Sequence, residues 1–180
     1  PVRTILKNQK NVEVILGEVT EIDKSGKTVT VDGQEVKFDF LVLAPGSRHS
    51  YFGKDNWKEN APGLKTIKDA LNIRENMLLS FEEAENTAFL SGRNLPVQFV
   101  VIGGGPTGVE IAGSLAEIAT KTLRKDFRNI DTRQTKIILV EGSGKLLGAY
   151  DSPLNEKAAE NLRGMGVEVR LNTMVTNIDE

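Results

Sequence analysis

One stretch, Val97 to Gly113, constrains this chain more than any other. It reads Val-Gln-Phe-Val-Val-Ile-Gly-Gly-Gly-Pro-Thr-Gly-Val-Glu-Ile-Ala-Gly: an apolar strand, a glycine turn and the first turns of a helix. Gly103, Gly105 and Gly108 stand at GxGxxG spacing. In a dinucleotide site each has a task. Gly103 permits the tight exit from the strand. Gly105, with no Cβ, lets a pyrophosphate approach the backbone. Gly108 lets the helix lie close on the strand. The helix start then offers unpaired N–H groups and a partial positive charge to an anion. Gly103, Gly104, Gly105, Pro106, Thr107 and Gly108 are therefore the expected cradle. A structural glycine turn in another α/β domain, or a methyltransferase loop, is the competing reading.

Composition removes several function classes. With 39% hydrophobic and 27% charged residues the chain is ordinary for a globular protein. Its net charge of −2 gives no global field favouring nucleic acid. The basic cluster Lys121, Arg124, Lys125, Arg128 and Arg133 has only Phe127 interleaved and is diluted by Asp126 and Asp131, which suits a solvated helix end. Without cysteine there is no disulfide framework, thiolate metal site or redox CxxC, and the single histidine, His49, makes no cluster, so no metal is expected. No apolar run approaches the roughly 18–20 residues needed to cross a bilayer. A reducing, cytoplasmic setting is the default expectation.

Along the chain, residues 12–43 read as short strands. Thr28–Val31 precedes Asp32-Gly33, a strong hairpin signal. Leu41-Val42-Leu43-Ala44 is apolar without alternation, as in a strand buried on both faces. Residues 45–65 read as a linker. Thr66 is placed to cap a helix whose Ala70, Ile73, Met77, Phe81 and Ala84 share one face. Ile111, Leu115 and Ile118 line the helix after the glycine turn. Lys136–Val140 is another buried strand. Ser152-Pro153 reads as an N-cap with proline at the first helical position, and Val167–Leu171 as a last strand. Residues 97–171 thus read β-α-β-α-β. The fold class expected is α/β, a Rossmann-type doubly wound parallel sheet with an associated antiparallel β-meander.

An internal repeat refines this. Val-Glu-Val-x-Leu followed by Val-Thr-x-Ile-Asp occurs within residues 11–23 and, with one insertion, within 166–179. Two copies suggest tandem nucleotide-binding domains. The expectation is that residues 1–54 are the C-terminal part of a first, FAD-type domain and 55–180 an NAD(H)-binding Rossmann domain incomplete at its C-terminal end. Residues 18–44 would cover the resulting gap within one chain or between two, the latter a homodimer.

Three stretches carry a family resemblance: Phe40 to Gly53, Gly103 to Glu117, and Thr122 to Asp131. Together they resemble type II NADH dehydrogenase, the single-subunit NADH:quinone oxidoreductase of the two-domain flavoprotein reductase superfamily. Pro45 departs from it, standing where a threonine is usual in an Ala-Thr-Gly triplet. The resemblance implies a cytoplasmic enzyme, peripheral on the cytoplasmic face of the membrane, in which FAD takes hydride from NADH and passes electrons to a quinone in respiratory electron transfer. The flavin fingerprint would then lie before Pro1, so the chain by itself would neither hold FAD tightly nor reduce a quinone. Glu110 would lie close to nicotinamide and flavin, as the one catalytic candidate. An ordinary first-turn glutamate stabilised by the helix dipole is the alternative. Val19, Ala44, Pro45 and Gly46 would meet the periphery of FAD, and Val175, the repeat partner of Val19, would meet NAD. Another reductase of the superfamily, of the ferredoxin or disulfide type, or a non-catalytic NAD-responsive module, are the alternatives.

Charge selects the nucleotide. Glu141 ends the second strand, where a carboxylate accepts hydrogen bonds from an adenosine ribose and repels a 2′-phosphate. It follows Gly108 by 33 residues, more than the usual interval of about 20, with the surplus in 121–134. Glu141 and Gly142 therefore complete the NAD(H) site, with NADH favoured over NADPH.

Overall fold

A computed structural model describes residues 1–46, 50–51 and 53–179. His49 and Phe52 of the family-like segment 40–53 lie outside the described residues. The chain divides into two compact units, Pro1–Gly46 and Ser47–Glu180.

The first unit holds a short helix, α1 (Val2–Leu6), and a meander of β1 (Val19–Asp23), β2 (Thr28–Val31) and β3 (Gln34–Lys37), paired antiparallel in the order β1-β2-β3. Asp32 and Gly33 both take positive φ, +48° and +80°, which is the two-residue turn their sequence calls for. No residue of this unit is fully buried. Here the structure departs from the strand reading of 12–16 and 41–44. Neither run forms a strand, and Leu16, Phe40 and Val42 are almost fully exposed. Apolar composition prepares a segment for a sheet, but only hydrogen bonds to a neighbour make it a strand, and within this unit these runs have none.

The second unit is the Rossmann unit. It contains α2 (Ile67–Ser91), β4 (Gln98–Ile102), α3 (Pro106–Glu117), β5 (Lys136–Val140), α4 (Ser152–Gly164) and β6 (Val167–Arg170). The strands are parallel in the order β4-β5-β6, with Val100 opposite Ile138 and Leu139 opposite Val169. Four consecutive residues of the central strand, Ile137 to Val140, are buried, as a strand covered on both faces must be. β4 is an edge strand among the described residues, and its Val100 and Ile102 are half exposed. Leu115, Ala112 and Ala116 of α3 and Ala159 and Leu162 of α4 close the core.

α2 begins as the sequence indicates. Thr66 Oγ1 accepts from the Asp69 amide and Asp69 Oδ2 accepts from the Thr66 amide, a complete capping box. Its Met77, Phe81 and Ala84 are buried, whereas Ile73 is only half buried and Ala70 exposed. The cap of α4 shifts by one residue. Asp151 is its N-cap and Ser152 its first residue, with Ser152 Oγ donating to Glu156 instead. The surplus between α3 and β5 forms a π-helical turn (Ile118–Thr122) and two 3₁₀ turns, Leu123–Lys125 and Thr132–Gln134. The basic cluster there is partly consumed by ion pairs. Lys121 meets Glu117 at 3.0 Å and Arg133 meets Asp131 at 2.7 Å. Hydrogen bonding from Arg133 pulls the Asp131 carboxyl down to about 2.

This crossover is fastened to α2. Phe127 lies on Phe81 with ring centroids 5.7 Å apart. Glu85 of α2 accepts from three successive amides, Arg128 and Asn129 at 3.0 and 2.9 Å and Ile130 at 3.2 Å. Desolvation pushes the Glu85 carboxyl up, but the hydrogen bonds from Arg128, Asn129 and Ile130 outweigh it and hold it below the ordinary 4.5. A depressed folded-state value means these bonds stabilise the fold above that pH and lose their contribution as pH falls through the folded-state value. Replacing Glu85 by Gln is therefore expected to lower the thermal midpoint at neutral pH. The gap to the wild type should close as pH drops below 4.5, as read by circular dichroism melts across that range.

Candidate functional site

The cradle sits at the carboxyl ends of β4 and β5, where a doubly wound sheet receives its ligand. Gly103 continues the ladder, its amide donating to the Val140 carbonyl at 2.8 Å, and takes φ +104°, a conformation that glycine adopts without steric cost. Gly108 is held for another reason. A Cβ there would drive into the Gly103 carbonyl, so α3 rests directly on the strand exit. Gly105 is different again. A Cβ there would meet nothing within 4 Å. The residue is exposed and serves as the N-cap of α3 with no side-chain cap. The cradle is thus an open ledge whose terminal amides are left for a ligand. Pro106 and Thr107 are exposed on the same ledge.

Glu141 borders the ledge. Its Oε2 accepts the Gly104 amide at 2.6 Å and its Oε1 the Ser143 amide at 2.7 Å. Burial disfavours its charged form, but bonds from Ser143, Gly104 and Gly142 prevail and hold its carboxyl below the usual range. It is therefore an anion at neutral pH. Its own backbone is tied to the end of β6 and the chain just beyond it, its amide donating to Arg170 and its carbonyl accepting from Thr173. The same chain brings Met174 against Gly142, where a Cβ would lie 3.0 Å from the Met174 Cε, and leaves Val175 half buried.

Glu110 is exposed and is the fifth residue of α3, not a first-turn residue. Proximity to the helix start is therefore a weaker account of it than expected. Val19, Ala44, Pro45 and Gly46 belong to the first unit, where all four are exposed and form no cradle of their own. Sequence reasoning missed Leu146 and Leu147. Leu146 is buried against Gly104, and the Leu147 amide donates to the Gly104 carbonyl at 2.7 Å. An apolar pair inside the run Gly142 to Gly148 was the available signal. A separate shallow cleft, lined by Leu95, Val97, Asn129 and Lys136, lies at the opposite end of the strands.

Residues 3–180 match the pyridine nucleotide-disulphide oxidoreductase family. The chain belongs to that family. It is 41% identical over 183 residues to the type II NADH:quinone oxidoreductase Ndh of Mycobacterium tuberculosis, covering 99% of this chain and 40% of that protein. With NdhA of the same organism, also named a type II NADH:quinone oxidoreductase, identity is 43% over 181 residues, covering 98% and 38%. The chain therefore spans about two fifths of these relatives. The solved structure of NDH2 from Plasmodium falciparum in complex with NADH superposes with a TM-score of 0.68 at 24% identity, over 91% of this chain and 34% of that one. This likeness shows the Rossmann-type fold. Among the described residues no helix is long and apolar enough to cross a membrane.

Two glycines of this turn should respond in opposite ways. Gly108→Ala forces α3 off the strand and should cost at least about 2 kcal/mol of stability in urea unfolding. Gly105→Val places its side chain in open space at a φ any residue adopts, so stability should change by less than about 0.5 kcal/mol. Its NADH affinity should nevertheless fall more than about tenfold by calorimetry. Unchanged affinity in folded Gly105→Val would remove the ledge from consideration as the pyrophosphate site.

Proposed function

We propose that this chain is the NAD(H)-binding part of a flavin-dependent NADH dehydrogenase that passes electrons to a quinone. The observation that carries the reading is the uncapped, side-chain-free ledge at Gly105 with the Glu141 carboxylate beside it. A dinucleotide laid over the strand ends sets its pyrophosphate against Gly103–Gly108 and its adenosine ribose toward Glu141. Gly142 and Val175 then border the adenosine, and Glu110 is assigned to the nicotinamide end. The fit is good in shape and charge: the backbone is open where phosphate must approach, and an anion stands where ribose hydroxyls donate. When bound, NADH supplies the hydride. The chain's own contribution is to hold the pyrophosphate and orient the adenosine.

The quinone acceptor, a peripheral position on the cytoplasmic face of the membrane, and the division at 54/55 into FAD-type and NAD-type parts belong to the same proposal. The names of the relatives at 41% and 43% identity support the quinone acceptor. FAD is assigned only at its periphery, to Val19 and Ala44–Gly46. The first unit offers it no phosphate cradle among the described residues. The chain holds no cysteine, so disulfide exchange has no thiol here.

Nucleotide preference tests the reading. With Glu141 ionised, calorimetric titration should give NADH an affinity at least about tenfold above that of NADPH, because the carboxylate repels a 2′-phosphate. Equal affinities would mean that the ribose is held elsewhere.

A further inference from the structure

Gly104 is the glycine of the cradle to which the dinucleotide motif gives no task. The structure binds it on all sides. Its amide donates to Glu141 Oε2 at 2.6 Å. Its carbonyl accepts the Leu147 amide at 2.7 Å. Its Cα faces Leu146, whose Cδ2 would lie 2.6 Å from a Cβ built there. All three anchors come from the single stretch 141–147 that leaves β5. Leu146 is 1% exposed. Leu147 takes φ +50°, a left-handed conformation that is strained for a leucine. That strain delivers its amide to the Gly104 carbonyl. Glu141 is itself immobilised through the Ser143 amide and through Arg170 and Thr173.

We infer that Glu141, Leu146 and Leu147 are positioning residues that hold the glycine cradle in its binding shape through Gly104. The physical need is plain. Three consecutive glycines lose more conformational entropy on ordering than any other residues. A clamp that orders them before the ligand arrives removes that cost from binding. Glu141 thereby serves both ends of the adenosine diphosphate moiety: the ribose directly, the pyrophosphate through the cradle. This consequence for nucleotide affinity rests on the function proposed above; the clamp itself does not.

The test uses Glu141→Gln, which keeps the side-chain volume but turns an NH₂ group toward one of two backbone donors. Hydrogen exchange followed by NMR in the absence of nucleotide reads the clamp alone. The Gly104 amide should exchange at least about tenfold faster than in the wild type, while the Leu139 amide in the centre of β5 is unchanged. Unaltered Gly104 exchange overturns the clamp. Calorimetry then compares NADH with reduced nicotinamide mononucleotide, which carries a phosphate but no adenosine ribose. Both should bind at least about tenfold more weakly to Glu141→Gln. A loss confined to NADH overturns the positioning role and leaves Glu141 a ribose contact only. A wild type that binds neither ligand refutes the nucleotide reading, and Gly104 exchange still decides the clamp. Should Glu141→Gln not fold, Leu146→Val trims the side chain lying on Gly104 and is read by the same two measurements.

Discussion

Helix α3 approaches the end of β4 so closely that no atom fits between the Gly108 Cα and the Gly103 carbonyl, and the rest of the site depends on that approach. It sets the height of the helix above the sheet. It also makes the chain turn within Gly103–Gly105, at a φ that only glycine adopts without cost. The first amides of α3 then emerge at the strand ends, with no side-chain cap at Gly105. The small residues Ala112 and Ala116, fully buried one and two turns along, extend the same close contact over the sheet. The cradle is thus a consequence of packing as much as of loop sequence.

Two further fastenings keep this geometry. On one side the stretch 141–147 encloses Gly104, so that the loop is ordered by its neighbours. On the other, Glu85 and Phe81 of α2 hold the long crossover between α3 and β5, with the buried Thr132 hydroxyl donating to the Ala119 carbonyl at 2.6 Å. The crossover explains the long interval between Gly108 and Glu141. Its surplus residues form a π-helical turn and two 3₁₀ turns beside the sheet and leave the register of β5 undisturbed. Glu141 consequently ends its strand at the level of the glycine turn despite the longer spacing. Family membership agrees with this construction, since the match runs through both the cradle and the crossover.

Much of this was legible in the sequence because it depends on near neighbours. The Thr66 cap, the Asp32-Gly33 hairpin, the three parallel strands and the GxGxxG turn are set by side chains a few residues apart, or by periodicity. Glu141 was legible by its topological place. Other features were not. The runs 12–16 and 41–44 have strand composition, yet pairing requires a partner that composition does not supply. Asp151, not Ser152, caps α4, because the backbone leaves the helical region one residue earlier.

The sequence by itself determined that this chain builds a parallel sheet around a glycine turn, with an acidic residue at the next strand end. Glycine is what the φ of Gly103 and the close approach at Gly108 require. Tertiary structure decided what the glycines are held by. That Glu141 binds the Gly104 amide, that Leu146 fills the space a Cβ would need, and that Leu147 adopts a left-handed φ follow from the meeting of segments about 40 residues apart. Such contacts are made between folded elements, and their geometry exists only once β4 and β5 have paired.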